Sequence, residues 1–181
     1  MRLFIAFDIS EEAKKELEML QSNIKKSSEN NAKLSFVKEF HLTMKFLGDV
    51  NENKVEEIKE RLQKVRFDKF TAVFDDAGIF PSESYIRVVW IGLSPEDKIT
   101  LLQQKIEESL KGMFPKDNRF LPHLTLARVK FVKDKKAFIE SIKKLKPEKI
   151  SFEVNSFKLI QSTLTKEKPI YEVLGEFKAI S

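Results

Sequence analysis

Cysteine is absent from the 181 residues. Disulfides, thiolate zinc sites, iron–sulfur clusters and a cysteine nucleophile are therefore excluded. Glycine (5) and proline (6) are scarce, which excludes a loop-rich or low-complexity chain. Long apolar runs are missing too. The first, Leu3 to Phe7, is closed by Asp8, too short for a signal-peptide core or a bilayer span. It reads as a buried strand, with no membrane partner and a cytoplasmic location expected. Charge of one sign does not dominate: 33 basic residues stand against 28 acidic ones, a net +5. The two signs are intermixed, so the plainest reading is a solvated surface, with a mild preference for anionic partners. What the chain does have is 41% hydrophobic residues, 16 of them Phe. That suffices for a core in one domain or two small packed lobes.

Apolar spacing places four helices. Ser10 caps the first, with Glu11 and Glu12 in its first turn and Ala13, Leu17, Leu20 and Ile24 on one face. Asn51 caps the second, which carries Val55, Ile58, Leu62 and Val65. Ser94-Pro95-Glu96-Asp97 starts the third, with Ser94 as cap; Ile99, Leu102, Ile106 and Leu110 form its face and Gly112 ends it. The fourth begins near Asp134 and buries Phe138, Ile142 and Leu145. Further β-rich runs lie at Leu34–Val37, His41–Leu47, Phe70–Phe74, Tyr85–Leu93, Phe120–Val129, Ile150–Ile160 and Ile170–Phe177.

The order strand–helix–strand–helix–strand occurs twice. His41 and His123 lie 82 residues apart, and adding 82 to Leu17, Leu20 and Ile24 gives Ile99, Leu102 and Ile106. Matching faces on both sides of a shared tetrapeptide point to an internal duplication, roughly residues 1–82 and 83–181. The expected fold is α+β, a single bilobal domain over residues 1–181. Each of its two pseudo-symmetric lobes is an antiparallel sheet with helices on the outer face, and a cleft lies between them.

The chain has two histidines, and each opens a tetrapeptide: His41-Leu42-Thr43-Met44 and His123-Leu124-Thr125-Leu126. On a strand, side chains at i and i+2 share a face. His41 with Thr43, and His123 with Thr125, should therefore face the cleft, with Leu42, Met44, Leu124 and Leu126 in the cores. Two imidazoles and two hydroxyls suit phosphodiester chemistry without metal or other cofactor. A neutral imidazole can take a proton from water, an imidazolium can protonate a departing oxygen, and hydroxyls can donate to phosphate oxygens.

The paired motifs resemble those of the 2H phosphoesterase superfamily. Within it the chain looks like the RNA 2',3'-cyclic phosphodiesterase branch, historically called 2'-5' RNA ligases. The resemblance runs from Met1-Arg2-Leu3-Phe4-Ile5-Ala6-Phe7 through His41-Leu42-Thr43-Met44-Lys45-Phe46-Leu47-Gly48, Gly78-Ile79-Phe80-Pro81 and Arg87-Val88-Val89-Trp90 to His123-Leu124-Thr125-Leu126-Ala127-Arg128. It implies a bilobal α+β fold and opening of RNA 2',3'-cyclic phosphate ends to 2'-phosphates, with tRNA halves or related nucleotides among the substrates. It also implies that His41 is the proton donor and His123 the acceptor. The family's Gly-Pro-x-Tyr stretch is altered to Lys168-Pro169-Ile170-Tyr171, which leaves Tyr171 outside the expected site.

Arg128 is the expected phosphate-binding cation, because a planar guanidinium can chelate two oxygens. Ideal alternation turns it away from His123, so either the strand bends or bulges near Ala127 or Arg128 works only at the strand end, with a plain surface arginine as the alternative. Phe46 has the same parity problem relative to His41; the family implies base stacking there, and a core position is the alternative. Lys45 shares the parity of His41, which allows a place in the cleft, with a solvated lysine the plainer reading. Asp75-Asp76 reads as a turn, Lys133–Lys136 with Lys143, Lys144 and Lys146 as a charged helix face, and Trp90 as core. A monomer is expected. Two rival functions remain beside hydrolysis: a nucleotide- or RNA-binding module without turnover, and reversible 2'-5' ligation of tRNA halves.

Overall fold

The computed structural model describes residues 1–181. Nine strands and four α-helices follow one another as β1 (Arg2–Asp8), α1 (Glu11–Ser28), β2 (Ala32–Phe36), β3 (His41–Asp49), α2 (Val55–Leu62), β4 (Phe70–Pro81), β5 (Ile86–Ser94), α3 (Glu96–Ser109), β6 (His123–Val132), α4 (Lys135–Lys143), β7 (Ser151–Val154), β8 (Ser156–Thr163) and β9 (Ile170–Lys178). The strands form two antiparallel sheets, ordered β3-β1-β8-β9 and β2-β6-β5-β4-β7. The α+β class with two sheets is as expected.

Local chemistry accounts for the helix starts. Ser10 and Asp134 accept hydrogen bonds from Ala13 N (3.1 Å) and Ala137 N (3.0 Å), satisfying end amides of α1 and α4. The start of α3 differs from expectation. Helix geometry begins at Glu96 after Pro95, and the Ser94 hydroxyl donates instead to Asp75 Oδ2 at 2.9 Å. Gly112, with φ +83°, lies just beyond α3 in a conformation that favours glycine. The second helix stops at Leu62, although Val65 stays buried. The run Ile150–Ile160 divides at Asn155: β7 pairs with β4 in one sheet and β8 with β1 in the other.

The two sequence halves interlace. Each sheet takes strands from both, and α1 packs on β2, β6 and α4 while α3 packs on β3 and α2. α1 and α3 thus each lie against the other half's His-x-Thr strand, while α4 packs on β4 in the sheet of its own half's motif strand. A continuous cluster of 40 buried apolar residues runs through the molecule.

Lys45 is the main departure from the sequence reading: it lies in neither the cleft nor the solvent. The β1–β3 register runs Ile5↔Lys45 and then Ala6↔Thr43, so Met44 is an extra residue, a β-bulge that reverses the alternation. Lys45 is 4% exposed. Its Nζ donates to both carboxylate oxygens of Glu107 on α3 (2.9 and 2.8 Å) and to the Pro115 carbonyl (2.8 Å). Gln103 Nε2 and the Asp117 amide add hydrogen bonds to Glu107 Oε1 at 3.0 and 3.2 Å. A buried pair so saturated is costly to break from one side. Lys45→Met is expected to lower the unfolding free energy by about 3–5 kcal/mol in urea titrations. The double variant Lys45→Met/Glu107→Leu should recover most of that loss.

Candidate active site

The same bulge recurs 82 residues on. The β5–β6 register runs Val89↔Ala127 and then Trp90↔Thr125, leaving Leu126 as the extra residue. Burial repeats in step: His41, Thr43 and Phe46 alternate with buried Leu42, Met44, Lys45 and Leu47, while His123, Thr125 and Arg128 alternate with buried Leu124, Leu126, Ala127 and Val129. The parity problem at Arg128 and Phe46 is thereby resolved. Both stand on the face that bears the histidine and threonine of their own strand. Phe46 is 77% exposed and is not a core residue.

The bulge at Leu126 is braced from behind. Gln21 on α1 donates to the Leu126 carbonyl (2.9 Å) and the Val37 carbonyl (2.7 Å), and Val37 N donates to the same Leu126 carbonyl (3.1 Å). These bonds satisfy carbonyls that a bulge leaves out of the regular ladder.

His41 is half-buried among rings. Phe4 stacks on it at 4.9 Å between centroids, and Tyr171 meets it edge-on at 5.1 Å. Tyr171 therefore lies against His41, although its altered motif left it outside the expected site. Its neighbour Pro169 survives from the family stretch, and that was the available signal. Burial holds the His41 imidazole below its ordinary pKa. The carboxylates of Asp8 and Glu39 oppose the shift, and Lys14 adds to it. Asp8 pairs with His41 in register and takes an ion pair from Lys158. Burial also raises the Tyr171 phenol, with Glu39 adding and Arg128 opposing. Arg128 belongs to the other sheet, and the two motif strands pack against each other.

His123 has a different setting. Its Nδ1 lies 2.7 Å from the Leu121 carbonyl oxygen. A carbonyl can only accept, so Nδ1 donates, and Nε2 is the nitrogen left to exchange a proton. Phe80 meets the imidazole edge-on at 5.0 Å, and Trp90 stacks on Phe80 at 4.8 Å. Trp90 is consequently not a core residue: it is paired with Thr125 and shares its face, with its ring 6.3 Å from His123. Its Nε1 is buried without a hydrogen-bond partner. Asp75 and Asp76 occupy a bulge within β4 rather than a terminal turn. No three His, Cys, Asp or Glu side chains come together as a metal-binding group.

Gly78 is what lets the indole lie flat on β4. A Cβ there would overlap the Trp90 ring, with Cη2 2.7 Å away. Gly78→Ala is expected to displace Trp90, the chain's one tryptophan. Its fluorescence should change, and turnover should fall more than the roughly 1–3 kcal/mol loss of stability typical of overpacking would explain.

The LigT like Phosphoesterase family model matches the chain twice, at residues 7–90 and 91–171. The RNA 2',3'-cyclic phosphodiesterase of Methanocaldococcus jannaschii is 38% identical over 179 residues, covering 98% of this chain and 100% of that protein. The protein of the same name from Thermotoga maritima is 37% identical over 182 residues, covering 97% and 94%. Among solved structures, a Thermus thermophilus protein superposes with a TM-score of 0.78 at 27% identity, covering 98% and 97%. Escherichia coli LigT complexed with 3'-AMP shares the fold, with a TM-score of 0.78 at 24% identity and coverage of 99% and 98%. With two family matches that meet between the two His-x-Thr strands, and a relative similar along almost its entire length, the chain belongs to the LigT-like phosphoesterases.

Proposed function

We propose that this protein hydrolyses RNA 2',3'-cyclic phosphate ends to 2'-phosphomonoesters, without metal, using His41 as acid and His123 as base. The observation that supports this reading is the pair of bulged His-x-Thr strands, each with an imidazole, a hydroxyl and a third group on one face. The names of the relatives support the substrate class. A non-catalytic binding module needs the phosphate-binding groups but not two titratable rings. Ligation would run the same chemistry in reverse.

In this reading the Arg128 guanidinium holds two phosphate oxygens, and Thr43 and Thr125 donate to oxygens on which charge develops. His123 fits the base role because the bond from Nδ1 to the Leu121 carbonyl leaves Nε2 as the nitrogen that can accept a proton. It takes a proton from water as the water attacks phosphorus. His41 protonates O3' as the P–O3' bond breaks, and the phosphate remains on O2'. Burial makes His41 a stronger acid but leaves it protonated less of the time. The anionic phosphate beside the ring offsets that shift when substrate binds. Phe46, exposed next to Phe4, offers its face to the terminal base.

The deciding experiment incubates the protein with an RNA ending in a 2',3'-cyclic phosphate and analyses the ends. Turnover is expected in EDTA, and the product phosphate should resist a 3'-specific phosphatase. Loss on chelation, or a removable phosphate, contradicts the mechanism. His41→Ala and His123→Ala should each lower kcat by about 10²-fold or more while both variants stay folded.

The pH dependence follows from His41. An acid acts only when protonated, so kcat/KM should fall as pH rises through a His41 value below its ordinary 6.5. Asp8→Asn removes a charge that opposes the shift and should move this alkaline limb to lower pH. Lys14→Gln should move it the other way.

A further inference from the structure

The walls of the cleft differ in charge, and the difference continues beyond the histidines. Near His41 stand the carboxylates of Asp8 and Glu39, each paired with a lysine, Lys158 and Lys168. On the opposite wall, β6 and its edge partner β2 expose Arg128, Lys130, Phe131, Lys33 and Ser35: three cations, an aromatic ring, a hydroxyl and no carboxylate. Phe131 is 61% exposed and belongs to neither apolar cluster. The nearest acid in sequence, Asp134, is turned to the α4 amides as their cap.

Register shows which way Phe131 faces. On β2, Ser35 pairs with Arg128, Leu34 with Val129, Lys33 with Phe131 and Ala32 with Val132. Leu34, Val129, Ala32 and Val132 pack on the core. Lys33 and Phe131 therefore share the face of Ser35 and Arg128. Lys130 is the extra residue of a second bulge, without which alternation would turn Phe131 inward. The cleft face of β6 thus reads His123, Thr125, Arg128, Phe131. The last step along the strand is roughly 7–10 Å at the usual rise per residue.

An exposed ring flanked by lysines and continuous with a phosphate-binding arginine has the composition that binds single-stranded nucleic acid: cations for the backbone, a π-face for a base. Resting on the proposed RNA-end hydrolysis, we infer that Phe131, with Lys33 and Lys130, is a stacking subsite for an RNA base upstream of the cyclic end. The strand leaves the cleft along β6, away from the carboxylates near His41. The enzyme then favours oligonucleotides over a mononucleotide 2',3'-cyclic phosphate, although both present the same reacting group.

The test compares an oligoribonucleotide bearing a 2',3'-cyclic end with adenosine 2',3'-cyclic monophosphate. Phe131→Ala is expected to lower kcat/KM for the oligonucleotide about 5- to 100-fold, the usual scale of one lost base–aromatic stack. The mononucleotide should be unaffected. Phe131→Trp should retain activity on the oligonucleotide and Phe131→Leu should not, which separates stacking from apolar packing. Lys33→Ala and Lys130→Ala should each reduce the salt dependence of oligonucleotide binding, by about 0.7 in log–log slope. Equal losses on both substrates, or none on either, overturn the subsite. So does a concentration-dependent dimer that Phe131→Ala dissolves without changing oligonucleotide kinetics, since the ring would then be a self-association contact. If the wild type opens neither substrate, the hydrolytic reading fails by itself. The subsite then stands or falls on fluorescence anisotropy with a labelled oligoribonucleotide 3'-phosphate, which Phe131→Ala must weaken.

Discussion

One extra residue in each motif strand decides which side chains reach the cleft. Met44 and Leu126 interrupt the alternation that would otherwise send Phe46 and Arg128 into the cores and Lys45 and Ala127 into the site. A bulge leaves backbone groups out of register and must be supported from its buried side. Both supports come from helices of the opposite sequence half. Gln21 of α1 reaches the Leu126 carbonyl, and Glu107 of α3 takes the ammonium of Lys45, the residue after Met44. The helix exchange between the halves is thus tied to the active-site geometry. Lys45 also grips the Pro115 carbonyl, so the strand of the first motif holds the segment that leads to the second.

Duplication supplies the frame twice, and divergence within it makes the two positions chemically unequal. The residue after the threonine is apolar in both strands. The next is Lys45 in one and Ala127 in the other, and the third is an aromatic ring in one and a guanidinium in the other. The histidines diverge in the same way. His41 is packed by Phe4 and Tyr171 and flanked by carboxylates; His123 is edged by Phe80 and tied through Nδ1 to a backbone carbonyl. A symmetric pair of rings could not by itself choose a direction for proton transfer. In the proposed reaction the ring held through Nδ1 serves as base, and the nearby carboxylates lie beside the ring proposed as acid.

The sequence made some of this plain and hid the rest for identifiable reasons. Helix faces and the caps at Ser10 and Asp134 follow from local spacing and side-chain chemistry, which the chain carries in a few neighbouring residues. The His-x-Thr strands were equally legible, because a period of two needs only four residues to declare itself. A bulge has no such local signature in this chain: Lys45 is held in its buried place by Glu107 and the Pro115 carbonyl, 62 and 70 positions away. Trp90 looked like core because a large ring usually is, and Gly78, which makes room for it on the cleft face, lies on the neighbouring strand. The division at Asn155 was hidden because both flanking segments read as strand. Only the pairing partners, β4 and β1, separate them.

The charges around His41 form a balance rather than a simple negative patch. Asp8 is paired with Lys158, and Glu39 lies 3.9 Å from Lys168. Such exposed pairs contribute little to folding stability, yet their placement matters for an anionic substrate. Two bare carboxylates would hold the imidazolium but repel the phosphate it must reach. Each with its own lysine, they still act on the ring while presenting little net charge to the cleft. The opposite wall has no such compensation: its exposed cations on β2 and β6 face no carboxylate of their own strands. The uncompensated positive charge therefore lies on the sheet that bears His123. In the proposed reaction the balanced surroundings of His41 meet the base and the leaving oxygen, which carry no fixed charge until the bond to phosphorus breaks.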